Sequence, residues 1–245
     1  MAYYYKNAVL EDKDLQNALK SLNPKFGDFV TRVAGEVWGL PLIDQKTKAI
    51  ITIAVDVANQ DQKGPGNPFG AHIDMALKQG ATREEVEAVL LFLCVYTGFN
   101  KVASCFGALN EFFDNVNLQQ YPPPRTATMV KTANPILDNL ALQKDLKSVN
   151  PQLGDFSIRV VGEAWSLPLI DIKTKALIAL AVDIANQDHV GPNNPFSLHL
   201  DIAFQNGVTR EEIEELLLFL CVYTGFNKVA AAFGSLNEYL AQRRI

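Results

Sequence analysis

The sequence predicts an all-α protein made of one helical unit written twice. Residues recur at a constant offset of 127: Asn23-Pro24 returns as Asn150-Pro151, Trp38 as Trp165, His72 as His199 and Cys94 as Cys221. The register runs without a gap from 15–113 to 142–240, and roughly two-thirds of the paired positions are identical. Apolar residues keep a helical period throughout, with no convincing alternating strand pattern. Such a period far exceeds the roughly 20–50 residues of a solenoid repeat, so each copy reads as a domain-sized unit.

Within the first copy, Phe26, Phe29, Val30, Val33, Ala34 and Val37 form a helical stripe ended by Gly39 and Pro41. Asp44 caps the next helix, where Ile50, Ile51, Ile53, Ala54, Val55, Val57 and Ala58 are apolar nearly all round, which predicts a central place in the core. A strand over the β-branched run 50–57 is the alternative; the length and the cap favour helix. Asn67-Pro68 reads as an N-cap followed by proline at the first helical position, with Gly80 as the stop. Thr82-Arg83-Glu84-Glu85 is a capping box that opens the apolar helix 86–96. Gly98 breaks that helix, and 99–113 makes the last one. The second copy repeats these signals at Asp171, Asn194-Pro195, Gly207, 209–212 and Gly225, giving five or six helices per copy. The expected organisation is a first domain at 1–113, a linker at 114–141 and a second domain at 142–245. Tyr121-Pro122-Pro123-Pro124 makes that linker an extended strap.

Composition narrows the function classes. The 245 residues carry 22 basic and 27 acidic side chains, a net charge of −5 that lacks the electrostatic footprint of a nucleic-acid binder. The longest apolar stretch, 88–99, is shorter than the roughly 20 residues a membrane span needs. The opening MAYYYKNAVLEDKD lacks the layout of a secretory signal. Three cysteines, Cys94, Cys105 and Cys221, do not make a disulfide framework, so the expectation is a reducing, cytoplasmic setting.

The most suggestive chemistry lies in the segments 64–72 and 191–199, where a Gly/Pro/Asn loop runs into a helix with His72 or His199 just over one turn inside. Unpaired amides at a helix N-terminus suit an anionic group, and a histidine there can move a proton near neutral pH. The competing reading is a histidine that only bonds a neighbouring carbonyl. Asp56 and Asp183 sit in the most hydrophobic helices, where a carboxylate is either paired or placed for function. Tyr96, Asn100 and Lys101 flank the Gly98 break as Tyr223, Asn227 and Lys228 flank Gly225; they either face the histidine pocket or form a helix-end network. Glu36 and Trp38 read as packing residues. One shared histidine per copy gives poor support for a metal site, and Cys94 in its apolar run reads as an inert buried thiol. Cys105 pairs with Ala232 and Gln62 with His189, so neither Cys105 nor His189 serves a chemistry that both copies perform.

The segment 68–85, with its histidine, short helix, Gly80-x-Thr82-x-Glu84-Glu85 and following apolar helix, resembles the carboxymuconolactone decarboxylase family. The stretch 42–48 is similar to that family's helix-opening segment, with Lys48 where arginine is frequent. The resemblance covers nearly all of both copies. It implies the all-α fold shared with the alkylhydroperoxidase-D branch, which assembles as trimers or hexamers, so a two-copy chain is expected as a homotrimer. The peroxidase branch carries Cys-x-x-Cys-x-x-x-His; counting back from His72 and His199, those cysteine positions hold Pro65 and Pro68, and Pro192 and Pro195. Its relay glutamate has no clear counterpart unless Asp56 substitutes across a shifted spacing. What remains is the cofactor-free decarboxylase branch. For that chemistry His72 and His199 would deliver a proton and a helix N-terminus or Lys101, with Lys228 in the second copy, would hold developing negative charge; Asp56, Asp183, Tyr96, Tyr223, Asn100 and Asn227, singled out above, are the candidates to contact a small carboxylate or lactone. A non-catalytic helical module that binds a small molecule or a partner is the alternative.

Overall fold

The computed structural model describes residues 4–64, 66–125, 134–191 and 194–243. Pro65 and Pro192, and the part of the strap from 126 to 133, lie outside the described residues. Among those described there are twelve α-helices and no strand. The first six are α1 (Lys13–Leu22), α2 (Pro24–Trp38), α3 (Gln45–Asn59), α4 (Pro68–Lys78), α5 (Arg83–Thr97) and α6 (Phe99–Asn115). The second six are α7 (Leu140–Val149), α8 (Pro151–Ser166), α9 (Ile172–Asn186), α10 (Pro195–Gln205), α11 (Arg210–Thr224) and α12 (Phe226–Arg243).

Local chemistry sets the helix boundaries. Asn23 and Asn150 accept from the third-residue amides of α2 and α8, with Pro24 and Pro151 at the first helical position. Asp44 and Asp171 cap α3 and α9. Thr82 and Glu85, and Thr209 and Glu212, form reciprocal capping boxes on α5 and α11. Gly98 and Gly225, at φ of 89° and 94°, take a backbone conformation that an L side chain resists and turn the chain directly into α6 and α12. The run 50–57 is helical and almost wholly buried, in line with its cap and length.

The repeat extends further upstream than side-chain identity indicates. Asn7 accepts from the amides of Val9 and Leu10 and donates to Gly35 O; Asn134 does the same with Ile136, Leu137 and Gly162 O. That turn leads into α7 from a stretch read as strap, and Ile136 is buried in the core. Pro122 is also buried, while Tyr121 donates to Asp74 and Arg125 N donates to Gly80 O. Part of the connection is thus docked on the first half.

The two halves are not separately closed units. Helices α3 and α9 pack against each other, α5 lies on α8 and α9, and α11 lies on α2 and α3. One continuous apolar cluster runs through both halves. The reason is visible in α3 and α9: they are apolar on nearly every side, so a single half leaves too much of them uncovered.

A buried polar contact pins this interface. Glu215 on α11, 4% exposed, accepts from the amides of Leu42 and Ile43 at 2.8 Å each and pairs with Lys48 Nζ at 3.1 Å. Lys48 is fully buried and also donates to Trp38 O and Leu40 O. Burial pulls its pKa down, and Glu215 opposes that shift. Replacing Glu215 by alanine removes the partner of a buried cation and of two amides. Urea unfolding of Glu215→Ala is expected to show a loss of about 3 kcal/mol; a loss below about 0.5 kcal/mol would mean the contact does not hold the halves together.

Candidate active site

Each site begins in the helix least suited to a carboxylate. Asp56 lies near the end of α3 and is 3% exposed; Asp183 on α9 is 2% exposed. Gln60 closes α3 in the left-handed conformation, Asp61 N donates to Asp56 O, and Phe69 N donates to Asp61 O. These bonds fold the chain back so that α4 runs alongside α3. Asn67 caps α4 through the amide of Gly70, and His72 then meets Asp56, Nδ1 to Oδ2, at 2.6 Å. Gln187, Asp188, Phe196 and Asn194 repeat the path, and His199 Nδ1 lies 2.6 Å from Asp183 Oδ2.

Burial pushes both aspartates above the usual carboxylate range, and the neighbouring imidazole works against that shift. A carboxylate at this distance accepts a hydrogen bond from Nδ1–H, which fixes the ring's orientation and leaves Nε2 for proton exchange. The spacing that made Asp56 a doubtful relay residue is bridged by the α3–α4 turn: the carboxylate bonds His72 directly. The same spacing is met in the second half.

The aromatic wall of each site comes from the opposite half. Tyr223 of α11 stands edge-on to His72, with ring centroids 5.4 Å apart, and Tyr96 of α5 stands edge-on to His199 at 5.2 Å. Sequence proximity grouped Tyr96 with His72, but the fold exchanges the two tyrosines. Their hydroxyls are held by tryptophan: Trp38 Nε1 donates to Tyr223 at 2.6 Å and Trp165 Nε1 to Tyr96 at 2.8 Å. Burial lifts both phenols well above the ordinary tyrosine range, so they are neutral. Trp38, read from sequence as a packing residue, and its counterpart Trp165 are buried and also set the tyrosine orientation.

The remaining candidates lie differently. Lys101 Nζ donates to Ala58 O and Lys228 Nζ to Ala185 O, at 2.7 Å each, anchoring both lysines to the last turns of α3 and α9. Asn100 and Asn227 are exposed and make no hydrogen bond to either histidine–aspartate pair among the described residues. Burial raises the thiol pKa of Cys94 and Cys221, and that of Cys105 to about 12, so these sulfurs are poor nucleophiles. His189 is buried beside Phe196, and burial lowers its pKa. Among the described residues, no three His, Cys, Asp or Glu side chains gather in a way that could hold a metal.

Both histidine side chains are largely buried, His72 keeping 11% exposure and His199 6%. A cavity of about 640 Å³ opens at the start of α4, lined by Gln62, Asn67, Phe69, Glu111 and Phe112 among others. It does not include His72, Asp56 or Tyr223. No helix among the described residues is long and apolar enough to cross a membrane.

Comparison with known proteins agrees with this architecture. The sequence model of the carboxymuconolactone decarboxylase family matches twice, over residues 24–111 and 151–238. A 4-carboxymuconolactone decarboxylase from Acinetobacter baylyi is 32% identical over 96 residues, covering 39% of this chain and 69% of that protein. A solved structure from Burkholderia xenovorans, described as a candidate gamma-carboxymuconolactone decarboxylase subunit, aligns over 98% of this chain and 96% of its own with a TM-score of 0.55 at 22% identity; it supports the fold. With both matched segments falling on the helices that carry the two histidine–aspartate pairs, the chain belongs to the carboxymuconolactone decarboxylase family, in two tandem copies.

Proposed function

We propose that the chain is a cofactor-free lyase that removes carbon dioxide from a small carboxylated lactone or a related acid. The observation that carries this reading is the doubled imidazole, oriented by a buried carboxylate through Nδ1 with its other nitrogen available. In such a reaction the bond from the substrate carboxylate to the ring carbon breaks. Its electron pair passes into a conjugated dienolate, and carbon dioxide leaves. The protonated imidazole of His72 or His199 then delivers a proton from Nε2 to carbon, while the aspartate stabilises the imidazolium. Lys101 and Lys228, set beside the ends of α3 and α9, are assigned to the developing negative charge. Tyr223 and Tyr96 contribute a neutral aromatic edge, and Asn100 and Asn227 are assigned to the outer part of the substrate. The prolines in the matched cysteine positions of the peroxidase pattern argue against thiol chemistry by that route.

Carbon dioxide release from γ-carboxymuconolactone is the direct test. Replacing His72 and His199 together by glutamine is expected to abolish turnover with the helical circular dichroism unchanged, whereas full activity in the double variant would overturn the assignment. Asp56→Asn with Asp183→Asn leaves the shape but disturbs the imidazole tautomer, with an expected loss of about 10³-fold in kcat.

The exchanged tyrosines have their own signature. In a chain whose second site is disabled by His199→Gln, Tyr223→Phe is expected to lower the remaining rate several-fold while Tyr96→Phe leaves it nearly unchanged. The opposite ranking would show that each half supplies its own tyrosine.

Assembly as a homotrimer is part of this reading. Leu22, Phe26 and Phe29 of the first half and Val149, Leu153 and Phe156 of the second are exposed at equivalent positions, apolar surface that assembly would cover. Light scattering at micromolar concentration should give a trimer mass; a single species of 27.0 kDa would count against it.

A further inference from the structure

The two halves differ at a buried position on which their interface depends. The counterpart of Glu215 on α11 is Ala88 on α5, itself only 6% exposed. Where Glu215 collects Lys48 and the amides of Leu42 and Ile43, the equivalent positions of the other half hold Ala88, Lys175, Leu169 and Ile170. Geometry supports the equivalence. Lys48 Nζ lies 5.9 Å from the ring centre of Phe219, and Lys175 Nζ lies 5.9 Å from that of Phe92, each ring one turn beyond the Glu215 or Ala88 position.

Lys175 is 2% exposed and donates to Trp165 O at 2.8 Å and Leu167 O at 2.5 Å. Lys48 has the matching two carbonyls and a carboxylate as well; among the described residues Lys175 has no acidic side chain at ion-pair distance, only the more distant charge of Asp171. The amides of Leu169 and Ile170 find no acceptor among the described residues, and Ile170 is 3% exposed. Buried amides without a partner are rare, and a buried ammonium without a counter-charge is costly. The backbone registers the difference too: Leu169 adopts φ 77°, whereas Leu42, held by Glu215, is not in the positive-φ region. A leucine in that region is strained, and such strain concentrates at ligand-binding positions.

We propose that the notch bounded by Ala88, Lys175, Leu169 and Ile170 binds a one-carbon carboxylate, formate or bicarbonate, whose oxygens take the role that Glu215 plays in the other half. A glutamate side chain beyond Cβ is a methylene carrying a carboxylate. An alanine in its place is shorter by a methylene and a carboxylate, and the carboxylate is the part that a free one-carbon acid would replace. Two oxygens can accept from the ammonium and both amides together, which a spherical halide does less well. The bound anion would also reach the second site, because Lys175 holds Trp165 O and the Trp165 indole holds Tyr96 against His199.

The test is thermal unfolding of the full chain against increasing sodium formate, and separately sodium bicarbonate, at constant ionic strength set with a bulky sulfonate. The unmodified chain is expected to gain stability saturably, by about 3 °C once formate is tenfold above its Kd. Ala88→Glu supplies the carboxylate covalently, so its melting temperature is expected to start higher and to ignore formate. Lys175→Met is expected to ignore formate whatever its starting stability. The proposal is overturned if the unmodified chain shows no saturable response, if chloride protects equally well, or if both variants keep the formate response.

Discussion

The structure depends on the burial of two carboxylates in the middle of its most apolar helices. Asp56 and Asp183 sit where α3 and α9 meet the rest of the core, and each would be prohibitively costly without a partner at hydrogen-bond distance. That requirement constrains the next stretch of chain. The turn after α3 has to reverse direction within a few residues, α4 has to start at a fixed point, and an imidazole has to sit just over one turn inside it. The left-handed Gln60, the Asp61 bonds and the Asn67 cap all serve that path, and the second half repeats them. Stability and chemistry therefore rest on the same contact. The pair that makes the carboxylate tolerable also leaves the imidazole oriented, with one nitrogen free.

A second constraint is that neither half covers its own central helix. The interface resolves this by sharing, and the sharing extends into the sites. Each histidine takes its aspartate from its own half and its tyrosine from the other, while a tryptophan beside that tyrosine fixes the hydroxyl. A small shift of α11 against α2 would disturb packing, the Trp38–Tyr223 bond and the His72 surroundings together. Rigid placement of a reactive group by buried aromatic contacts is what proton transfer to carbon demands, since the donor must be held in one orientation.

Much of the helical framework was legible in the sequence because its signals are local. Asn-Pro pairs, an aspartate before an apolar run, the Thr82–Glu85 box and the Gly98 break each act within four residues, and the structure places helix ends at all of them. The repeat was legible for a similar reason, as identity at fixed offset needs no knowledge of folding. The contacts that escaped were non-local. The Asp56–His72 bond crosses a loop whose turn geometry is not written in residue type alone. The partnership of Tyr223 with His72 joins residues of different halves, and nothing in either segment names the other. Nothing in the sequence marks Lys48 or Lys175, both near helix starts, as buried; they are held by carbonyls at the ends of α2 and α8 and lie near rings of the opposite half.

The covalent link between the halves has a consequence for how this protein can diverge. Were the same helices contributed by two identical shorter chains, any change on one side of the axis would be imposed on the other. A glutamate lost from one interface would be lost from both, leaving two uncompensated ammonium groups in the core. Joined end to end, the two sides are free to differ: Glu215 can remain as a fixed strut while Ala88 opens the opposite corner to small anions. Two copies in one chain are free of the symmetry that oligomerisation of equal subunits would enforce, so one corner can be specialised while the other preserves the fold.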